Sequence, residues 1–392
     1  MRRRSLLAML GPLAAAASWL FSSESWIIDR LMSVVEAKIK PEKMPRDERR
    51  LAAIFPEGGR KTSVEAALNS RCNSDYDDNP RYFHWGMFDR HARLTDRQVA
   101  EVVNLAKTPR FTEKSVGIEI NERLLTFFVE PGLSGIERDC AMIESGMAQQ
   151  AVGLVCAALG VGMVFNNLGK GGMQISASRF GTVRIRIDAM KPGYGDSYWT
   201  NSVPDGIKPW KSGNLPEPAR DGRSALVSIL ADVQTKNRGS ASLSDLHFYQ
   251  TLWAAKGRTP HLYKSRPWGM TIPTWTDRIE ITTVYALRED RLSRYINWEN
   301  NRPTHTLVSL DKVEAPALGE LWEAFEQHKD FIVLASNDRL ARAEWEIGYE
   351  LLNVLAQAKA LDVSYRAYLL DREQRKILER AGISEARAVV AL

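Results

Sequence analysis

Two rhythms of apolar residues alternate along the chain, one helical and one with the period of a strand. LTDRQVAEVVNLAK from Leu94 and LSDLHFYQTLWAAK from Leu243 each open on an N-cap residue, Thr95 or Ser244, followed by Asp and a helical apolar face. A second pair of predicted helices begins at Glu144-Ser-Gly146 and Glu346-Ile-Gly348. The first of these runs into fifteen uncharged residues from Ala151, an apolar stretch too short to span a bilayer and best read as a core helix over 144–159. Between the helices the period falls to two. VGIEINERLLTFFVE (116–130) predicts a hairpin turning at Asn121-Glu122, and TVRIRIDAM (182–190) a strand with basic residues pointing outward. DRIEITTVYAL (277–287), THTLVSL (304–310) and DFIVLAS (330–336) predict three further strands.

The echo carries spacing information. The first helices start 149 residues apart and the second pair 202 apart, so the later half holds about 53 extra residues, which read as strands. Helices and strands mixed in each half predict an α+β fold duplicated in tandem, with mixed or antiparallel sheets around long central helices. The first copy is the shortened one, and the pair forms an intramolecular pseudo-dimer. The expected division is an export signal or anchor at 1–22, an N-terminal helix and linker at 23–58, a first repeat at 59–200, a linker at 201–222 and a second repeat at 223–392. The linker lies in the Pro-, Gly- and Asn-dense stretch 188–224.

The N-terminus reads MRRRSLLAMLGPLAAAASWLF, a charged start, an apolar stretch and an Ala15-Ala16-Ala17 cleavage-type site. Arg3-Arg4 before Ser-Leu-Leu is similar to a twin-arginine signal, so a periplasmic or exported protein is expected, or one held by an N-terminal membrane anchor. The helix after it, with Trp26, Ile27, Leu31, Val34 and Val35 on one face, would clasp the folded unit or lie on a membrane surface.

Composition narrows the classes. With 44% hydrophobic and 26% charged residues the chain is globular in type. Net charge is +5, of which Arg2, Arg3 and Arg4 supply three, and no long basic run remains, so nucleic acid is not an expected partner. Cys72, Cys140 and Cys156 stand singly without metal spacing, so no disulfide framework and no metal site is expected. GKGG (169–172) lacks the P-loop frame, and no hydrolase constellation stands out.

Taken together these segments resemble the nitroreductase-like flavoprotein superfamily, nearest its branch of dehydrogenases that oxidise azoline rings in peptides. That branch carries a short helix ending Arg-Arg-Ser-x-Arg-Asp-Tyr, a helix of the Leu-Ser/Thr type, a Thr-x-Pro-Ser turn, and a long helix Glu-x-Gly-x-Ala-x-Gln-Asn running into Gly-Leu-Gly. Here TSVEAALNSRCNSDYDD (62–78) puts Arg71, Cys72 and Ser74 on the first pattern, with Asp75-Tyr76 in register. Glu144, Gly146, Ala148, Gln150, Gly160 and Gly162 follow the long helix, and Thr271-Ile-Pro273-Thr274 the turn. In the second half only Lys236 keeps a basic position, and Leu361-Asp-Val stands where the glycines belong.

The resemblance implies FMN, held in family members at a dimer interface. It assigns one composite flavin site to Arg71, Cys72, Ser74, Gln150, Gly160, Gly162, Asn166 and Asn167 of the first half with Thr271, Pro273 and Thr274 of the second. The mirror site has lost its glycines and its turn, so one flavin per chain is expected, passing hydride at N5. No catalytic residue is singled out. His261, Tyr263 and Arg266 are candidate substrate contacts, and the substrate is a small molecule or peptide. Outside the cytoplasm a quinone, a redox protein or oxygen would exchange the electrons. The chain would act as a pseudo-dimeric monomer or a higher oligomer. The alternative is a chain that keeps the fold without flavin and serves as a binding or maturation scaffold.

Overall fold

Thr95 and Ser244 cap the two helices that the apolar rhythm predicts. In α2 (Asp96–Ala106) the Thr95 hydroxyl accepts from the Gln98 N–H and the Gln98 side chain accepts from the Thr95 N–H, a complete capping box. In α5 (Asp245–Lys256) the Ser244 hydroxyl accepts from the His247 N–H. The computed structural model describes residues 51, 53–55, 59, 61–69, 94–107, 111, 116–159, 161, 163–165, 182–187, 213–263, 266–273, 281–300, 302–338 and 341–392. The expected export signal at 1–22 lies outside them. Residues 50–392 form one compact unit.

The short helices α1 (Val64–Asn69) and α4 (Leu226–Asp232) begin side by side. The Val64 N–H donates to the Ser224 carbonyl at 3.2 Å, and the Leu226 N–H donates to the Thr62 carbonyl at 2.9 Å, a reciprocal pair centred on an antiparallel bridge from Ser63 to Ala225. The central helices are α3 (Gly135–Leu159) and α7 (Ala341–Ala360). Thr62 donates to the Ala158 carbonyl near the end of α3, and Ser224 donates to the Ala360 carbonyl at the end of α7. Each central helix then closes with the same bond from a residue five positions on, Val161 N–H to Cys156 carbonyl and Val363 N–H to Ala358 carbonyl. Asp362 supplies the left-handed turn of the second, at φ 56°.

The first half builds a four-stranded antiparallel sheet from β1 (Val116–Asn121), β2 (Leu124–Val129), β3 (Met163–Phe165) and β4 (Val183–Ile187), in the order β1-β2-β4-β3. Its β1–β2 hairpin turns at the predicted place, with Glu122 at φ 53°. The second half builds a seven-stranded sheet from β5 (Lys236–Asn237), β8 (Thr283–Arg288), β9 (Arg291–Glu299), β10 (Arg302–Lys312), β11 (Asp330–Ala335), β12 (Tyr365–Leu369) and β13 (Ala386–Ala391). Its order is β10-β9-β8-β11-β13-β12-β5. The inner run β8-β11-β13-β12 repeats the order of the first sheet, with every neighbouring pair antiparallel. The extra residues of the second half are chiefly β9, β10 and α6 (Ala315–Ala324), inserted between β8 and β11; α8 (Arg372–Arg380) joins β12 to β13, where the corresponding first-half residues lie outside the described ones. A separate hairpin, β6 (Arg258–Tyr263) and β7 (Arg266–Met270), precedes β8.

Between the sheets α3 and α7 cross at glycine. A Cβ on Gly146 would collide with the Trp345 carbonyl, and one on Gly348 would collide with the Ile143 carbonyl and stand 2.8 Å from the Gly146 Cα. The two contacts are images of one another: 143 and 146 meet 348 and 345, and each partner lies 202 residues from its counterpart. Absence of both side chains lets the backbones touch at this point. The helix α3 is 25 residues long, longer than the apolar run suggests, and by length and composition could cross a membrane. It is instead buried by protein over 89% of its most apolar window. The predicted linker at 201–222 is described from 213 onward and is tied to both halves. Asn214 and Leu215 bond to β10, Ala219 bonds to Gln250, and Asp221 and Gly222 bond to Ser63.

Substituting alanine for Gly348 should therefore lower stability by about 1–3 kcal/mol or prevent folding, because a rigid backbone lies where the methyl must go. Gly319, on α6, has nothing within 4 Å of its Cβ position. Gly319→Ala should be neutral or stabilising by up to about 1 kcal/mol. Urea unfolding of both variants checks the contrast, and equal effects would contradict it.

Candidate functional site

Burying two helices on all sides leaves their polar residues to find partners inside the protein. One knot joins the halves where the composite site was expected. Gln150 of α3 donates from its amide to Asn353 Oδ1 of α7 at 2.7 Å and to the Thr271 carbonyl at 3.3 Å. Asn353 donates to the same Thr271 carbonyl at 3.1 Å and to the Ala254 carbonyl at 3.0 Å. All three residues are fully buried. Thr271 follows β7, its N–H donates to the Gly257 carbonyl, and its hydroxyl donates to the Trp253 carbonyl. Nearby, Tyr349 of α7 donates to Gln149 of α3 at 2.6 Å.

The knot brings Gln150 and Thr271 together across 121 residues. The donors of the described members are committed within the protein. Both amide hydrogens of Gln150 are engaged, Thr271 gives its N–H and hydroxyl to carbonyls, and Pro273 has no N–H. Gln150 and Thr271 are thus joined by hydrogen bonds inside the protein. Arg71, Cys72, Ser74, Gly160, Gly162, Asn166, Asn167 and Thr274 lie outside the described residues. His261 lies on β6, and Tyr263 and Arg266 are paired at the end of the β6–β7 hairpin.

In the second half a segment after α4 is bonded to the residues that follow α7. Residues 235–241, which include Lys236, run alongside 362–367. The Thr235 carbonyl accepts from Ala367, Lys236 and Asn237 pair with Arg366 and Tyr365, and the Ala241 N–H donates to the Asp362 carbonyl. Gly239 and Ser364 exchange bonds, Ser240 donates to Asp362, and Lys359 meets both Asn237 and Asp232. A Cβ on Gly239 would collide with the Asp362 carbonyl.

A second polar cluster is built on Glu350, between Tyr349 and Asn353 on α7, and was not singled out from the sequence. Lys256, at the end of α5, donates to the Thr282 carbonyl at 2.7 Å and hydroxyl at 2.6 Å, and stands 3.5 Å from Glu350 of α7. Thr282 donates to the same Glu350 carboxylate, and Asn297 of β9 donates to the Lys256 carbonyl. Lys256 and Glu350 are buried to 2% and 0% exposure, and their proximity with the shared Thr282 offsets part of the desolvation that either alone would suffer. The signal was present as Glu344, Glu346 and Glu350 on an otherwise apolar helix, but sequence does not name their partners.

At the other end of α7, Glu344 accepts from Arg387 of β13 at 3.1 Å, and its second oxygen has no hydrogen-bond partner among the described residues. Burial pushes its carboxyl up to about 7, against the pull of Arg387 and Arg375 and with the help of Asp139 on α3. Burial likewise pushes the Cys140 thiol up to about 11, which keeps it protonated and unreactive at neutral pH. His305 of β10 bonds the Tyr295 hydroxyl at 2.8 Å, and burial holds it neutral, down to about 4. Among the described residues no group of three or more His, Cys, Asp or Glu could hold a metal.

No family model matches the sequence, and no curated protein matches it. Among matching solved structures is one described as a "putative nitroreductase" from Ralstonia eutropha JMP134, with 16% identity, covering 45% of this chain and 86% of that chain at a TM-score of 0.32. At that score the likeness does not establish a family.

The raised Glu344 carboxyl fixes a pH dependence. The folded chain takes up this proton more readily than the unfolded one. Its contribution to stability is therefore complete below the ordinary value of 4.5 and is lost as pH rises through about 7. Glu344→Gln should gain stability relative to wild type between pH 5 and pH 8. A wild-type-to-variant difference in urea midpoint that is the same at both values would contradict this.

Proposed function

We propose that the chain is a tandem pseudo-dimer of nitroreductase-like halves and an exported FMN-dependent oxidoreductase with one composite flavin site. The duplication is supported by the repeated strand order, by the bridge at Ser63 and Ala225, and by the paired glycine contacts. The observation that carries the site is the junction of Gln150 with Thr271, which sets an element of one half against the turn of the other. Closure of residues 235–241 onto 362–367 supports one flavin rather than two. In this reading Gln150, Thr271 and Pro273 shape the wall. Arg71, Cys72, Ser74, Asn166, Asn167 and Thr274 supply the charge and hydrogen bonds for the phosphate and ring, and Gly160 and Gly162 let the backbone come close.

His261, Tyr263 and Arg266 would face a small-molecule or peptide substrate, and a quinone or redox protein would exchange electrons. The twin-arginine-like start supports export, because that route carries proteins folded around a cofactor. A second reading, a flavin-free scaffold or binding protein, is favoured by one observation: the donors of Gln150 and Thr271 are used inside the protein.

Absorbance of the natively exported protein separates these readings. One FMN per chain is expected, with Arg71→Ala and Thr274→Ala each weakening the same flavin although they lie in different halves. Two flavins per chain would overturn the single site. A protein that stays colourless after incubation with free FMN would overturn the flavin reading and leave the scaffold.

A further inference from the structure

Glu65 of α1 carries its carboxylate inside the protein, at 4% exposure. One oxygen, Oε1, accepts from the side-chain amide of Gln357 on α7 at 2.6 Å, and Gln357 is itself fully buried. The remaining oxygens of the pair, Glu65 Oε2 and Gln357 Oε1, are buried with no hydrogen-bond partner among the described residues. Asn69 lies one turn beyond Glu65 on the same side of α1, and its Oδ1 is buried without a partner as well. All three atoms are acceptors, so none satisfies another. Among the described residues no cationic side chain pairs with Glu65.

The matched positions of the other half are apolar. The bridge from Ser63 to Ala225 aligns Glu65 with Val227, and the closing bonds to Cys156 and Ala358 align Gln357 with Val155. Both valines are buried, and valine is close in volume to glutamate and glutamine. Packing of this junction therefore needs no polar pair. A buried ionised carboxylate with a single hydrogen bond is strongly disfavoured unless a positive charge compensates it. Gly222 lies against that carboxylate, where a Cβ would stand 2.1 Å from Oε2. Gly222 is exposed, and its N–H is held by Ser63 and Asp221. The glycine thus sets solvent-exposed backbone directly beside the unsatisfied oxygen.

We propose that the junction of α1 with α7 is a binding site for one monovalent metal cation, sodium or potassium, held by Glu65 Oε2 and the amide oxygens of Gln357 and Asn69. Oxygen ligands select a hard cation, and the lack of His and Cys sets the site apart from one for zinc or copper. Charge selects the valence. The set carries one negative charge, which a monovalent ion balances, whereas a divalent ion would leave a positive charge uncompensated in the interior. The bond from Gln357 Nε2 to Glu65 Oε1 fixes the amide with its oxygen free for the ion, because the opposite orientation would set two acceptors against each other. The ion would join α1 of the first half to α7 of the second, and its binding free energy would add to the stability of that junction. Flavin is not needed for it.

The test is urea unfolding of the full chain in sodium, potassium or tetramethylammonium chloride, from about 1 mM to about 300 mM, with tetramethylammonium holding ionic strength constant. For wild type the unfolding constant should fall about tenfold for each tenfold rise in sodium or potassium above its Kd, the slope of one ion per chain, and tenfold more tetramethylammonium should change nothing. Glu65→Gln should lose the response. The double variant Glu65→Val with Gln357→Val, which copies the matched positions, should fold, ignore both ions and be at least as stable as wild type in tetramethylammonium alone. That variant separates loss of the site from loss of folding. Equal wild-type midpoints in all three chlorides would overturn the proposal and leave Glu65 and Gln357 as a plain hydrogen-bonded pair. A response that survives in either variant would overturn it by placing the ion elsewhere. Stabilisation by about 1 mM calcium or magnesium chloride, with none from sodium or potassium, would also overturn it, in favour of a divalent site.

Discussion

The backbone contact between Gly146 and Gly348 is the constraint on which the remaining structure depends. Ile143 and Trp345 lie one turn before the two glycines, and each packs its carbonyl into the space that the other helix's glycine leaves. Close approach brings the flanking side chains within bonding reach, so Gln149 meets Tyr349 and Gln150 meets Asn353. Helices held further apart would leave these amides buried without partners, at a cost of about 1–3 kcal/mol for each group. The crossing therefore fixes both the apolar and the polar content of the core. It also explains why a largely apolar helix long enough for a membrane lies inside protein: its other faces meet α2, β2 and α4 as well as α7.

Symmetry at the crossing coexists with asymmetry around it. The second half carries an added strand pair, two covering helices and a separate apolar cluster, whereas the described first half shows a four-stranded sheet. Where the second half closes residues 235–241 onto its own chain, the polar groups of that segment are satisfied internally.

Much of the architecture was legible in the sequence because glycines, caps and charges recur at matched spacing. The Glu-x-Gly echo at 144–146 and 346–348 marks the crossing, and Thr95 and Ser244 mark the helix starts. The β1–β2 hairpin was legible from alternation alone. β13 was not, because Ala386–Ala391 is buried on both faces and its alanines suit a helix as well as a strand. β9 was hidden by its charges, although Leu292, Tyr295 and Asn297 do turn inward. The site was legible only as a list of residues. Gln150 and Thr271 could be named, but that they bond to each other depends on a contact 121 residues long, which no local pattern encodes. The Lys256–Glu350 pair was missed for the same reason.

If the crossing makes residues 50–392 one cooperative unit, the two central helices must open together. Hydrogen exchange followed by mass spectrometry measures this directly. Peptides from 141–157 and from 343–358 should share one opening free energy, equal to that of global unfolding. A first-half helix that exchanges well before the second, while the second keeps its full protection, would contradict the account.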